Sequence, residues 1–359
     1  MHSSPLLGFA LIGCGRIARR HADLLAGGHI AGAALAAVCD IDPKRAQGFG
    51  ERYGVPFFTD ADTMMAALGE RIDVLSILTP SGSHAPICIA MARHGKHIVV
   101  EKPMALTLDD ADGMIRACDT AGVKLFVVKQ NRFNLPVLRL REAFDAGRFG
   151  KLIMGSVRVR WMRDQSYYDQ DAWRGTWAED GGVFANQASH HVDLLEWFLG
   201  EPETVYATAR KALANIETED TGVAVIRFRN GAIGVVEATT AARPKDLEGS
   251  LSILGENGTV EIGGFAVNEM RSWQFTKPMP EDEDVLVSAR TNPPNVYGFG
   301  HAAYMRNVVE CIRHGGKALV DGLEGRKSLE LIAAIYESIC SGQEERIRFC
   351  PRHSLLGLR

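Results

Sequence analysis

The chain has 359 residues, a length that suggests two domains. Hydrophobic residues make up 46% and charged residues 23%, as in ordinary globular proteins, and a net charge of -4 leaves no basic field for nucleic acid. No apolar run is long enough for a membrane span and no signal peptide is visible. The seven cysteines are scattered without a CxxC pair, so free thiols in a cytoplasmic protein are expected.

Phe9 to Ile12 is a short apolar run that closes on Gly13-Cys14-Gly15-Arg16-Ile17-Ala18. This GxGxxA pattern precedes a helical stretch to about Ala26. The first glycine permits a tight turn, and the second lets a pyrophosphate approach the backbone. The small third position packs helix on strand. Gly13, Gly15, Arg16 and Ile17 are therefore candidate cofactor residues, with free N–H groups at the helix start. Ala34 to Cys39 reads as a second strand ending in Asp40, about 25 residues after Gly15. An acid there accepts from ribose hydroxyls and repels a 2′-phosphate, which favours NAD over NADP. Asp42-Pro43 reads instead as the cap and first position of a helix, Pro43 to Tyr53.

The alternation goes on: strand Val55 to Phe58, helix Asp60 to Leu68, strand Asp73 to Leu78. Thr79 and Pro80 follow at that strand's carboxyl end and are expected along the cofactor. His84 is a candidate for a cofactor-side contact or for a plain helix start, before a helix Ala85 to His94. Strand Lys96 to Val100 runs into Glu101-Lys102-Pro103. Helix Leu108 to Ala121 and strand Lys124 to Val128 complete a doubly wound parallel sheet. Charges at the carboxyl end of a parallel strand belong to ligands more readily than to packing.

A GxGxxA turn, an acid after strand two, and EKP about 85 residues later resemble the glucose–fructose oxidoreductase / inositol dehydrogenase / MocA family. The resemblance covers essentially the whole chain. It implies NAD as cofactor, Lys102 at the active site beside Glu101, and a cis peptide before Pro103.

The composition changes after Val128, so an NAD-binding domain is expected over 1–128 and a substrate-binding and oligomerisation domain over 129–359. The polar cluster after Val128 supplies Gln130 toward the cofactor and Asn131 and Arg132 toward substrate. Leu138 to Ala146 reads as a helix. Gly150 to Trp161 alternates as a long strand, and further alternating runs are Thr204 to Ala209, Val223 to Arg229, Ala232 to Thr239, Leu251 to Gly255 and Thr259 to Ile262. Gly231 marks a hairpin. The expected fold is α/β: a Rossmann domain followed by an α+β domain with a large, mainly antiparallel open sheet and C-terminal helices, including Arg326 to Ser338, returning toward the first domain. In the family such a sheet commonly mediates dimers and tetramers, which implies a homo-oligomer here.

Arg163 to Asp169, Ala172 to Trp177, Gly181-Gly182 and Asn186-Gln187-Ala188-Ser189-His190-His191-Val192-Asp193 form the most informative block. The family pattern after the glycine pair is Asp, His four residues on, and Asp three further. Asn186, His190 and Asp193 occupy those places, with asparagine standing for the usual acid. Positions four apart on a helix share a face, so Asn186 and His190 are expected to point together, while His191 turns away into packing. The block resembles a subgroup that oxidises the 3-hydroxyl of a UDP-linked N-acetylglucosaminuronic acid in bacterial O-antigen synthesis. Arg163, Arg174 and Arg132 suit its carboxylate and diphosphate. Tyr167 and Gln187 are further substrate candidates, and His301 is a candidate contact to a diphosphate. His190 is the favoured base with Lys102 polarising the hydroxyl, and Lys102 as base is the alternative. No metal is expected.

Overall fold

The computed structural model describes residues 5–293, 295–348, 350–351 and 354–358. The chain divides into two compact units. The first comprises residues 1–105, 109–128 and 301–326, and the second 106–108, 129–300 and 327–359.

In the first unit, β1 (Leu7–Ile12), β2 (Ala33–Cys39), β3 (Phe57–Phe58), β4 (Val74–Ile77), β5 (His97–Val100) and β6 (Leu125–Val127) alternate with five helices. These are α1 (Arg16–Ala26), α2 (Pro43–Tyr53), α3 (Ala61–Leu68), α4 (His84–Ala92) and α5 (Leu108–Thr120). The strands lie in the order β3-β2-β1-β4-β5-β6, all parallel. The sequence order reverses between β1 and β4, which sets a ligand crevice at their carboxyl ends. The strands are mostly apolar because both faces of the inner ones are covered; Leu11, Val74, Leu75 and Val100 are fully buried. Asp42 caps α2 by accepting from the Lys44 N–H at 2.9 Å, with Pro43 at the first position.

The second unit starts with α6 (Leu135–Asp145), β7 (Leu152–Arg160), α7 (Gln165–Tyr168) and α8 (Ser189–Leu199). Then follow β8 (Pro202–Arg210), β9 (Thr221–Phe228), β10 (Ile233–Thr239), β11 (Glu248–Gly255), β12 (Gly258–Gly263), β13 (Glu269–Phe275) and α9 (Asp282–Ser288). Of the two long helices that follow, α10 (Gly300–His314) and the first turn of α11 (Gly322–Ser341) belong to the first unit, and the rest of α11 and β14 (Glu345–Arg346) to the second. The eight-stranded sheet has the order β13-β12-β11-β7-β10-β9-β8-β14, and only β7 and β10 pair in parallel. Alternation decides the faces: β9 buries Gly222, Ala224, Ile226 and Phe228 and exposes Val223 and Val225. α8 lies on the buried face. A Cβ at Gly155 of β7 would meet Leu199 at 2.9 Å and Leu195 at 3.1 Å, so glycine there admits the helix.

Two strands, β13 and β14, extend the sheet beyond the alternating runs expected. A larger difference concerns Asn186 and His190, which do not share one α-helix. Val183–Gln187 is a π-turn, closed by the Ala188 N–H on the Val183 carbonyl at 2.8 Å, and α8 starts only at Ser189. The wider turn is imposed from outside the segment: Tyr336 and Glu219 take its first N–H groups.

Candidate active site

The cofactor side of the site is built in the first unit. Gly13 has φ +99, and a Cβ there would lie 2.8 Å from the Leu78 carbonyl group, so only glycine turns the chain at this point. Around a Cβ built on Gly15 there is nothing within 4 Å, which is the open space a pyrophosphate needs. Arg16 opens α1 exposed and Ile17 follows partly buried. The Asp40 carboxylate is fixed at the end of β2 by the Cys14 N–H at 2.7 Å and the Asp42 N–H at 2.9 Å. That holds it partly exposed beside the glycine turn, where a ribose acceptor belongs.

Thr79 and Pro80 follow β4 and are partly exposed. His84 is 1% exposed, with Nδ1 2.9 Å from the Pro103 carbonyl and Nε2 2.9 Å from the Thr79 carbonyl. Its task is to tie the loop after β4 to the loop after β5. Burial lowers its pKa against the two carbonyls. Lys102 is partly exposed between buried Glu101 and Pro103, and the Lys102–Pro103 peptide is cis, as the resemblance implied.

Glu101 is clamped from both sides. Oε1 lies 2.9 Å from His21 Nε2 and 3.8 Å from His301 Nε2, while Oε2 accepts from the Lys102 N–H at 3.1 Å. Burial would raise this carboxyl, but hydrogen bonding and charge from the two histidines outweigh it and hold it well below the usual range. His301 is thus 1% exposed beneath the EKP turn, out of reach of the diphosphate expected for it. Among the described residues His21, Glu101 and His301 are the one group close enough to share a metal ion. Hydrogen bonding accounts for them without one. His21 Nδ1 has no partner among the described residues, so its proton belongs on Nε2, facing Glu101. A metal on Nε2 would move that proton to a buried nitrogen with no acceptor.

The substrate side is built in the second unit. Asn186 and Gln187 are partly exposed, whereas Val183, Phe184, Ala185 and Ala188 are buried. The Asn186 amide donates to Asp180, whose other oxygen accepts from the Gly175 N–H at 2.7 Å. The acid that Asn186 replaces thus returns one step behind it, buried, and fixes which way the amide points. Gln187 Nε2 donates to the Tyr167 hydroxyl at 3.1 Å, and Arg174 donates to the same hydroxyl at 2.8 Å. The Tyr167 ring lies between the guanidinium groups of Arg174 at 4.7 Å and Arg163 at 5.3 Å. Asp246 and Asp171 hold the two arginines at 3.0 Å each. This sets two carboxylate-paired guanidinium groups and an aromatic ring beside the partly exposed Asn186 and Gln187. His190, 7% exposed, opens α8 next to them.

Other expected residues have different tasks. Arg132 is 2% exposed and binds Asp193 with both Nε at 2.8 Å and Nη2 at 2.9 Å, over the Trp197 ring at 4.7 Å. Its guanidinium serves an internal ion pair, so it is withdrawn from substrate. Gln130 and Asn131, 2% and 3% exposed, lie with it in a short 3-10 turn after β6. His191 is fully buried edge-on to Trp161, and burial pushes its pKa down to about 3, which agrees with a packing role. The sequence reading missed His21, Asp180, Glu219 and Tyr336. Only His21 carried a signal, as a histidine on the buried face of the helix that follows the glycine turn.

The fold and the two half-sites define a NAD-binding α/β oxidoreductase. The family model described as "Oxidoreductase family, NAD-binding Rossmann fold" matches residues 7–129, and "Oxidoreductase family, C-terminal alpha/beta domain" matches residues 141–347. The chain belongs to this GFO/IDH/MocA family and is an NAD-dependent dehydrogenase acting on a CH–OH group. It is similar to the WlbA dehydrogenase of Bordetella pertussis, solved in complex with NADH and UDP-GlcNAcA. Identity is 44%, the TM-score 0.91, and the match covers 96% of this chain and 99% of that one. The WlbA enzyme of Chromobacterium violaceum, solved with the same two ligands, is 42% identical with a TM-score of 0.88, covering 97% and 99%. Among curated relatives, the D-apiose dehydrogenase of Paraburkholderia graminis is 27% identical over 94% of this chain and 89% of its own length. The inositol 2-dehydrogenase of Rhizobium meliloti is 26% identical, covering 94% and 98%.

Proposed function

We propose that this enzyme oxidises the 3-hydroxyl of UDP-N-acetylglucosaminuronic acid to the 3-keto sugar, in the cytoplasm, within bacterial O-antigen sugar synthesis. The observation that carries the reading is the likeness, along 96% of the chain at 44% identity, to an enzyme that holds this sugar nucleotide. The Arg163–Tyr167–Arg174 stack supports it, since two guanidinium groups suit a carboxylate and a diphosphate.

Gly13, Gly15, Arg16, Ile17, Asp40, Thr79, Pro80, Glu101 and Lys102 hold the cofactor, with Gln130 beside them. When bound, NAD supplies the hydride acceptor. His190 takes the hydroxyl proton on its imidazole, and the Lys102 ammonium steadies the oxygen as it becomes negative. Asn186 and Gln187 orient the sugar through their amides. Asn131 joins them as a polar substrate contact. Lys102→Ala and His190→Ala each lower kcat by about 10²-fold. Turnover near that of the wild type in either variant removes that residue from the mechanism.

The curated relatives favour a second reading, a dehydrogenase of a free sugar or an inositol. A sensor that binds the sugar nucleotide without turnover is the third. NADH absorbance separates them. Formation with UDP-N-acetylglucosaminuronic acid supports the proposal, and formation only with D-apiose or myo-inositol supports the second. Binding without NADH supports the sensor.

A further inference from the structure

The π-turn that carries Asn186 and Gln187 cannot satisfy its own first amides, and two side chains from distant parts of the chain do so. The Tyr336 hydroxyl, from α11, accepts from the N–H of Gly182 at 3.1 Å and of Ala185 at 3.3 Å. It donates to Glu219 Oε1 at 2.8 Å. The same Oε1 accepts from the Phe184 N–H at 3.2 Å, and the Glu219 backbone carbonyl accepts from the Val183 N–H at 3.0 Å. Four successive amides, 182 to 185, are thus held by one tyrosine and one glutamate. Gly182 leaves room for this: a Cβ there would overlap the Glu219 carboxyl group.

We propose that Glu219 and Tyr336 are positioning residues of this enzyme, setting the turn that presents Asn186, Gln187 and the start of the His190 helix to the substrate. The inference rests on the substrate side assigned above and extends it to residues that touch no ligand. An α-turn in place of the π-turn would close on i+4 rather than i+5 and rotate Asn186 and Gln187 about the axis, away from their partly exposed positions. The pair therefore acts on sugar affinity more than on the chemical step.

The carboxyl group makes the device sensitive to pH. Burial pushes Glu219 up to about 7, against the hydrogen bonds from Tyr336 and the backbone, and Asp220 adds to the rise. The other groups facing it keep fixed states. Tyr336 is pushed well above its ordinary value by burial and by Glu219, so it stays neutral. Asp220 is held down by the N–H groups of Ala212, Leu213 and Ala214, which outweigh its burial. Asp180 is tied to Gly175 and Asn186. Below pH 7 Glu219 is neutral, with Oε1 accepting and the proton on Oε2. Above pH 7 a charge develops on a carboxyl whose Oε2 has no partner among the described residues. The Tyr336 O–H and Phe184 N–H donors favour the ionised form and the unpartnered Oε2 opposes it, so the hold on the turn changes as Glu219 titrates.

The test is hydrogen exchange of the full-length enzyme at residues 182–188 from pH 6 to pH 8.5, corrected for the intrinsic rate. Wild-type protection changes through a step near pH 7. In Glu219→Gln, which keeps the size and the Oε1 acceptor, the pH step disappears. In Tyr336→Phe protection is low at every pH. In parallel, KM for UDP-N-acetylglucosaminuronic acid in the wild type changes severalfold through the same step. KM of Glu219→Gln stays flat, and the pH dependence of kcat is the same in both. A wild-type turn with pH-independent exchange overturns the proposal, and so does a Glu219→Gln variant that keeps the step. If Glu219→Gln does not fold, the wild-type exchange series decides alone. Exchange that behaves as expected, with no turnover of this sugar, leaves the positioning pair standing and sinks the substrate reading instead.

Discussion

Arg132 lies in a polar run at the end of a cofactor-domain strand, a place where a guanidinium suits a phosphate. Its partner is 61 residues away: Asp193 takes two of its nitrogens, and Lys129 Nζ stands 3.7 Å from the same carboxylate. Burial would raise Asp193, but Arg132 and Lys129 outweigh it and hold the carboxyl below its ordinary value. Removing one member strands a buried charge. Asp193→Asn and Arg132→Met are each expected to cost roughly 3–5 kcal/mol in urea unfolding, and the double variant less than the sum. The pH sign follows from the depressed carboxyl. Its contribution is full above the unfolded value near 4 and is lost as pH falls through the folded one. A residue's type and position in the chain showed that a charge was present; which charge would face it depends on a helix that returns after the whole of β7. The motif residues escape this problem. Gly13, Gly15, Asp40 and Lys102 act through the local turn each sits on, and such turns are written in contiguous sequence. His301 belongs with Arg132: it was legible as a histidine before a helix, but its Glu101 partner lies 200 residues earlier.

At the scale of elements, β-strands with one buried face announced themselves by alternation, as β7, β9 and β10 did, and the parallel strands by short apolar runs between turns. The π-turn did not, because four amides of the segment are satisfied by Tyr336 and Glu219 and the local sequence carries no sign of either. α8 shows the same divide. Its apolar face was readable, but the state of its acids was not. Glu196 has a carboxyl oxygen, Oε2, buried without a partner among the described residues, and burial together with Asp193 pushes the group up to about 8. A carboxyl raised in the fold binds more protons folded than unfolded between about 4.5 and 8, so its ionisation destabilises as pH rises through that window. Glu196→Gln should therefore gain on the wild type by a few kcal/mol at most between pH 5 and pH 8, read as the difference in urea unfolding free energy. The difference is the useful quantity, because neutral buried His191 works in the opposite direction below pH 6.5. Equal pH slopes in the two proteins would show Glu196 to be ionised at no cost. A second test belongs to the β1–α1 turn. Gly13→Ala places a Cβ 2.8 Å from the Leu78 carbonyl at φ +99, which is expected to weaken NADH binding by about tenfold to a hundredfold in a fluorescence titration.

For the molecule as a whole, the eight-stranded sheet presents a face that its own chain leaves uncovered. Tyr206, Val225 and Val235 stand side by side across β8, β9 and β10, because Val225 pairs with Tyr206 on one side and with Val235 on the other. Ile233, Met154 and Leu254 form a second row on the same face, two residues along, across β10, β7 and β11. Tyr206, Val225 and Ile233 are each more than 40% exposed. Contiguous apolar rows of this kind on a sheet face mark an interaction surface more often than scattered single residues do. Charged groups frame it: Arg160 pairs with Glu237 at 2.6 Å and with Glu248 at 3.2 Å, so the rim is polar and already satisfied. We infer that two copies of the chain pack these faces together into a dimer or tetramer. Val225→Arg places a charge in the middle of the apolar row while pointing away from the core, so the fold is expected to survive it. Light scattering on the eluting protein should then show a lower mass than the wild type, with an unchanged far-ultraviolet circular dichroism spectrum. Ile233→Glu, one strand over, should do the same, and Val225→Arg with Ile233→Glu should recover part of the assembly if the two rows meet across the contact. A wild-type chain that runs as a monomer, or variants whose mass does not change, would remove this face from the interface.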